Sequence, residues 1–201
     1  EVVPLGVDPV FCDRSAPGEA GTPYFVVLGT IEARKNLTFL LHAWREWVRK
    51  SNKSQARLVI IGRRGNPGDS AIDLLERSPT LASTVVEVAE LADGYVARLM
   101  KGARALLAPS LIEGFGLPIA EALSLGVPVV ASDIPAHREA GGPAAEYLDP
   151  LDGPAWITAL EDFCSTTSRR REISLKRVLA QPANTWDRHF AAVDDILRRG
   201  G

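Results

Sequence analysis

Two patterns alternate along this chain, and their alternation restricts the fold more than any other feature. Short runs rich in β-branched residues are separated by amphipathic segments with a helical apolar repeat. Several runs are apolar throughout rather than at every second residue, as in strands covered on both faces. Strands that exchange with helices in this way build a parallel sheet with helices packed on each side. The expected strands are residues 25–29, 58–61, 85–88, 105–108 and 127–131, with a short one near 146–148.

Between the first two strands, Leu37, Leu40, Leu41, Trp44, Trp47 and Val48 recur at helical spacing, and Asn36 is placed to cap that helix. Val96, Leu99, Met100 and Ala103 repeat the pattern. From about Asp152 the chain turns helical. Asp152 and Pro154 start a helix that carries Ile157, Leu160 and Cys164 inward. Asn184 opens a terminal helix with Trp186, Phe190, Val193 and Leu197 on one face. No internal repeat or low-complexity tract is present. The expectation is one α/β domain spanning 1–201, a Rossmann-like parallel sheet with helices on both faces. Residues 1–22, rich in Pro, Gly and Asp, read as an entry segment or linker.

Bulk properties exclude several functions. Lys plus Arg number 23 against 25 Asp plus Glu, a formal charge of -2, where a nucleic-acid binder would carry a basic face. No apolar run approaches the ~20 residues of a membrane span. The opening residues lack the basic and apolar regions of a secretory signal. A start at Glu1-Val2-Val3-Pro4 without Met reads as cut from something longer. Cys12 and Cys164 lie on apolar stretches far apart, which favours two buried free thiols and a cytosolic compartment. His42, His137 and His189 have no second ligand at metal-binding spacing, so no metal is expected.

Three loops can carry chemistry. The first, Gly29-Thr30-Ile31-Glu32-Ala33-Arg34-Lys35-Asn36, leaves the first strand and enters the first helix. Ligands of open α/β sheets bind at the carboxyl ends of strands, and a helix amino terminus there favours an anion. Arg34 and Lys35 add two cations, although a solvated basic turn would look the same. The second is residues 109–121, where Glu113 and Glu121 flank seven residues that include Gly114, Phe115, Gly116 and Leu117. The glycines let backbone N–H groups turn toward a ligand. A carboxylate is a double acceptor for the vicinal hydroxyls of a sugar or ribose. The plain alternatives are a loop acid in water for Glu113 and a first-turn acid on the helix dipole for Glu121. The third, residues 62–68, is an ordinary turn in its Arg64 and open in its Arg63. Neither GxxxxGK[ST] nor GxGxxG occurs.

The Glu113-to-Glu121 segment resembles the E-x7-E signature of retaining glycosyltransferases of the GT-B architecture, in particular glycosyltransferase family 4. The resemblance extends over nearly the whole chain. Val3-Pro4-Leu5-Gly6-Val7-Asp8 is similar to the entry into the second domain of such enzymes. Residues 25–41 are similar to the strand and helix bearing a basic diphosphate clamp. Gly126-Val127-Pro128-Val129-Val130-Ala131-Ser132 and a terminal helix from Trp186 continue the likeness. It implies the carboxyl-terminal, donor-binding half of the GT-B fold, with the amino-terminal acceptor domain absent.

By position, the resemblance gives Arg34 and Lys35 the task of neutralising the diphosphate leaving group without a metal, and Glu113 that of facing the donor sugar. Gly29, Thr30, Gly114, Phe115, Gly116 and Leu117 would line the donor, Glu121 would hold the ribose, and Glu90 and Leu91 would lie against the base. Thr30 stands where many members have Arg, and Ala89 where many have Gly. The Gly-Thr-Ile-Glu start resembles a subgroup associated with mannosyl transfer in surface polysaccharide synthesis. The implied partners are a nucleotide sugar and the missing domain, with no nucleic acid or cofactor. Membrane contact would be indirect, at the cytoplasmic face. An epimerase or phosphorylase on the same architecture would need a histidine with several acids or a pyridoxal lysine. A non-catalytic flavodoxin-like module would show an early acidic cluster with a later lysine.

Overall fold

The computed structural model describes residues 3–15, 21–51, 56–66 and 69–199. One sheet contains β1 (Tyr24–Leu28), β2 (Arg57–Ile61), β3 (Val85–Val88), β4 (Leu106–Ala108), β5 (Val129–Ser132) and β6 (Glu146–Leu148). The helices are α1 (Leu37–Ser51), α2 (Ser70–Arg77), α3 (Pro79–Thr84), α4 (Asp93–Lys101), α5 (Leu117–Ser124), α6 (Pro135–Gly141), α7 (Gly153–Cys164), α8 (Arg169–Ala180) and α9 (Trp186–Arg199). All strand pairs are parallel, in the order β3-β2-β1-β4-β5-β6. This is the expected Rossmann-like sheet.

The apolar runs are readable as strands because the sheet is buried on both sides. Phe25 and Val27 of β1 enter one core, and Val26 enters the other. In β2, Leu58 and Ile60 face the first core while Val59 and Ile61 face the second. The first core is built on Phe25, which meets Trp44 and Trp47 edge-on at ring-centroid distances of 5.8 and 6.1 Å. Both indole N–H groups find partners: Trp44 donates to Thr84 Oγ1 at 3.1 Å and Trp47 to Glu161 Oε2 at 2.7 Å. These bonds let large aromatic rings be fully buried without an orphaned donor, and they tie α1 to α3 and α7.

Three local expectations need correction. Asn36 does not cap α1 with its side chain. Its backbone is left-handed, at φ 54°, and its side-chain amide donates to the Pro150 carbonyl at 2.9 Å. A short polar residue tolerates that conformation better than a branched one. The terminal helix starts at Trp186 rather than Asn184 and buries none of its residues; Trp186, Phe190 and Leu197 remain exposed. Cys12 is half-buried, while Cys164 is buried; among the described residues neither forms a disulfide. The Asp152 cap is present, accepting from Ala155 N at 3.0 Å, with Pro154 in the first turn.

Strand order reverses between β1 and β4. Loops leaving two such strands diverge and open a crevice at their carboxyl ends. The loops that follow β1 and β4 are the two acid- and base-bearing segments singled out above. They are neighbours in space although nearly eighty residues apart in sequence.

Candidate functional site

Lys35 and Arg34 close one side of the crevice. They occupy the 3-10 turn Ala33–Lys35, just before α1. Across from them, Glu113 leaves β4 and receives three donors. Lys35 Nζ lies 2.6 Å from Oε1, Arg34 Nη1 2.7 Å from Oε2, and Ser110 Oγ 2.8 Å from Oε1. The Lys35 and Glu113 side chains are only 13% and 11% exposed, whereas Arg34 is 45% exposed. Lys35 is therefore the cation whose attraction is least screened by water. Burial alone would raise the Glu113 carboxyl, but the bonds from Lys35 and Ser110 outweigh it and hold Glu113 below the usual range. The crevice thus holds two cations paired with Glu113, and Arg34 also pairs with Glu32 at 2.7 Å.

Between Glu113 and α5 the backbone supplies what the side chains do not. Gly116 is left-handed, at φ 94°, and a Cβ there would lie 3.4 Å from Ala140 and 3.5 Å from His137, so glycine is required mainly by conformation. Among the described residues the N–H groups of Gly114, Phe115, Gly116 and Leu117 make no hydrogen bond within the protein. Unpartnered amides at a helix start, beside two cations, have the chemistry that suits a phosphate or another anion. Gly29 brings β1 close to the same place, since a Cβ there would sit 3.0 Å from Lys35 Cε.

Glu121 is one turn into α5, so it is not the first-turn acid of the plain alternative. Its Oε2 is buried without a hydrogen-bond partner. Burial first, then Asp93 in the first turn of α4 and Asp8 in the entry segment, push its carboxyl up to about 7. The folded group therefore keeps a proton that the unfolded one, near 4.5, releases. Its contribution to stability is full below pH 4.5 and is lost as pH climbs through 7. Glu121→Gln is accordingly expected to raise the melting temperature by a few degrees at pH 8 and to match the parent at pH 4.5. Melting curves at both pH values check this, and an equal difference at the two would contradict it.

The remaining predicted residues are dispersed. Thr30 is exposed beside Gly29. Glu90 has a left-handed backbone, at φ 55°, and an exposed side chain 3.2 Å from Arg63. Leu91 is half-buried against the second core. Arg64 is held by Glu76 and Glu87 at 2.6 and 2.9 Å, a structural pairing that keeps it from the crevice chemistry.

Sequence reasoning missed His137. It lines the crevice with Lys35, Ser110, Glu113 and Gly116. Its Nδ1 lies 3.0 Å from the Ser132 carbonyl, so that nitrogen carries the proton and donates. Burial lowers its pKa, which keeps the ring neutral. An isolated histidine carries no local signal of such a position. Among the described residues no group of three or more His, Cys, Asp or Glu side chains is arranged to hold a metal. No described helix is long and apolar enough to cross a membrane.

The family described as "Glycosyl transferases group 1" matches residues 22–165. O-antigen chain mannosyltransferase B of Escherichia coli is 35% identical over 158 residues, 79% of this chain and 41% of that protein. MMP alpha-(1->4)-mannosyltransferase of Mycolicibacterium hassiacum is 32% identical over 212 aligned positions, 96% of this chain and 49% of that protein. The chain spans half or less of the length of these relatives. Among solved structures, WaaG, a glycosyltransferase involved in lipopolysaccharide biosynthesis, superposes with TM-score 0.77 at 18% identity, covering 98% of this chain and 56% of that one. Sucrose-phosphate synthase from Thermosynechococcus elongatus gives TM-score 0.73 at 20% identity, over 99% and 52%. Both share the fold.

Proposed function

Because the chain belongs to the group 1 glycosyl transferases, we propose that it is the donor-binding half of a retaining enzyme that moves a hexose from a nucleoside diphosphate sugar. The acceptor domain would lie in the rest of the protein, in line with the fraction of its relatives that this chain spans. Mannose is the sugar we assign, on the strength of mannosyltransferase relatives from two bacteria. A growing polysaccharide or glycolipid is the acceptor, met at the cytoplasmic side of a membrane.

The observation that carries this reading is the Lys35–Glu113–Arg34 cluster beside the unpartnered amides of residues 114–117. Loss of a nucleoside diphosphate leaves negative charge on the departing phosphate. Fixed N–H groups and cations at that position stabilise it without reorganisation. Lys35 and Arg34 would turn from Glu113 to the diphosphate, so no metal is invoked. Glu113 would then face the hydroxyls of the transferred sugar, and Glu121 would accept from the ribose.

That last assignment has a pH signature. Hydroxyl donors on Glu121 favour its carboxylate and pull the raised pKa back down, so nucleotide binding releases a proton. Affinity for a nucleoside diphosphate is therefore expected to rise by about tenfold at most per pH unit as pH approaches 7 and to level off above it. The rise should vanish in Glu121→Gln. Saturation-transfer NMR against UDP, GDP and ADP sugars tests the wider proposal. Binding of one of them, weakened in Lys35→Ala, is the expected result, and binding of none would refute it.

A further inference from the structure

At the opposite end of the sheet from the crevice lies a cavity of about 450 Å³. That volume is in the range of small-molecule sites, roughly 300–1,000 Å³. Its floor is the amino-terminal edge of the sheet, where Pro23 precedes β1, Arg104 precedes β4 and Pro128 precedes β5. Its charged lining, among the described residues, consists of Arg14, Lys101, Arg104 and Arg171, with no carboxylate.

Three of these cations also serve the fold. Arg14 donates to the carbonyls of Leu123, Ser124 and Gln181, and Arg104 to those of Phe163 and Ser165. Lys101 pairs with Asp13 at 2.8 Å. Cations at carbonyls that end helices are favoured by the helix dipole, so these positions need no ligand to explain them.

Arg171 has no such explanation. Its Nε is buried with no hydrogen-bond partner. The charge that acts on it is that of Arg104, and burial together with this repulsion brings its guanidinium down to about 10. Burial likewise lowers Arg104. Two like charges in a partly dry cavity, one with an orphaned donor, are unfavourable unless an anion joins them.

We propose that this cavity is a second anion site, taking a small phosphate-bearing ligand whose phosphate lies against Arg171 and Arg104. Guanidinium groups match phosphate oxygens in paired, charge-assisted hydrogen bonds. Arg14 adds positive potential, whereas the Lys101 charge is offset by Asp13, and Leu175 and Leu179 offer apolar wall to the remainder of the ligand. The site is independent of the donor crevice and does not rest on the roles given to Lys35 and Glu113.

The test uses inorganic phosphate and glucose 6-phosphate in calorimetry and melting curves. Co-sedimentation with phosphatidylcholine vesicles, with and without phosphatidylglycerol, separates a lipid headgroup from a soluble phosphate. Arg171→Met keeps the aliphatic stem and removes the charge; Arg171→Lys keeps the charge. The parent should bind a soluble probe or the anionic vesicles, and Arg171→Met should bind it about tenfold more weakly or worse. Arg171→Lys should retain part of the affinity, and Lys35→Ala all of it. Without ligand, Arg171→Met should melt no lower than the parent, because it relieves an unpaired buried charge. Unchanged affinity in Arg171→Met overturns the proposal, as does loss in Lys35→Ala, which would put the phosphate in the crevice. A lower ligand-free melting temperature for Arg171→Met, or no binding of either kind of probe, also overturns it.

Discussion

Lys35→Ala is expected to cost nucleoside diphosphate binding ~1.5–3 kcal/mol, the range for a hydrogen bond to a charged group. Two losses combine. The variant lacks the least exposed cation of the crevice, and it leaves Glu113, formerly 2.6 Å from that ammonium, facing the diphosphate with Arg34 alone of the two basic neighbours. The second loss predicts non-additivity. In a double-mutant cycle, Lys35→Ala with Glu113→Gln should recover part of what Lys35→Ala loses. Parent affinity should fall as salt rises, more steeply than that of Lys35→Ala. Calorimetry at two ionic strengths reads both effects, and strictly additive losses would show that Glu113 is not coupled to the bound diphosphate.

The second large effect separates the two acids by the ligand with which each fails. Because Glu113 already accepts from Lys35 and Arg34, it competes with any diphosphate for them. Glu113→Gln removes that competition, so a bare nucleoside diphosphate should bind the variant at least as tightly as the parent. The sugar nucleotide should not share the gain, because the variant gives up a charge-assisted bond to the sugar, and turnover by the complete enzyme should fall about a hundredfold or more. Glu121→Gln should instead weaken both ligands alike above pH 7, since both carry the ribose. Identical losses for the two variants with the bare diphosphate would contradict the assignment.

How much of this was legible in the sequence follows from which forces act locally. Double-sided burial writes itself into continuous apolar runs such as those of β1 and β2, and every strand boundary falls within two residues of expectation. The order of strands is set by pairing between distant segments, so the reversal between β1 and β4 that joins the two loops had no local signature. Arg34, Lys35 and Glu113 were each visible as charged residues at strand ends. Their mutual pairing was not, because it depends on that reversal. The raised carboxyl of Glu121 comes first from its burial and then from Asp93 and Asp8, which reach it from other elements. Asn36 was misread because its residue type serves a cap and a left-handed turn equally well.

The measurement that tests the central claim most directly is an amide shift map of the isotope-labelled chain titrated with a nucleoside diphosphate. If the crevice is the donor site, the largest shifts fall on Gly29, Lys35 and residues 114–117, the loops leaving β1 and β4, and they collapse in Lys35→Ala. Saturable shifts that instead centre on β3 and the terminal helix, leaving those loops unmoved, would contradict it.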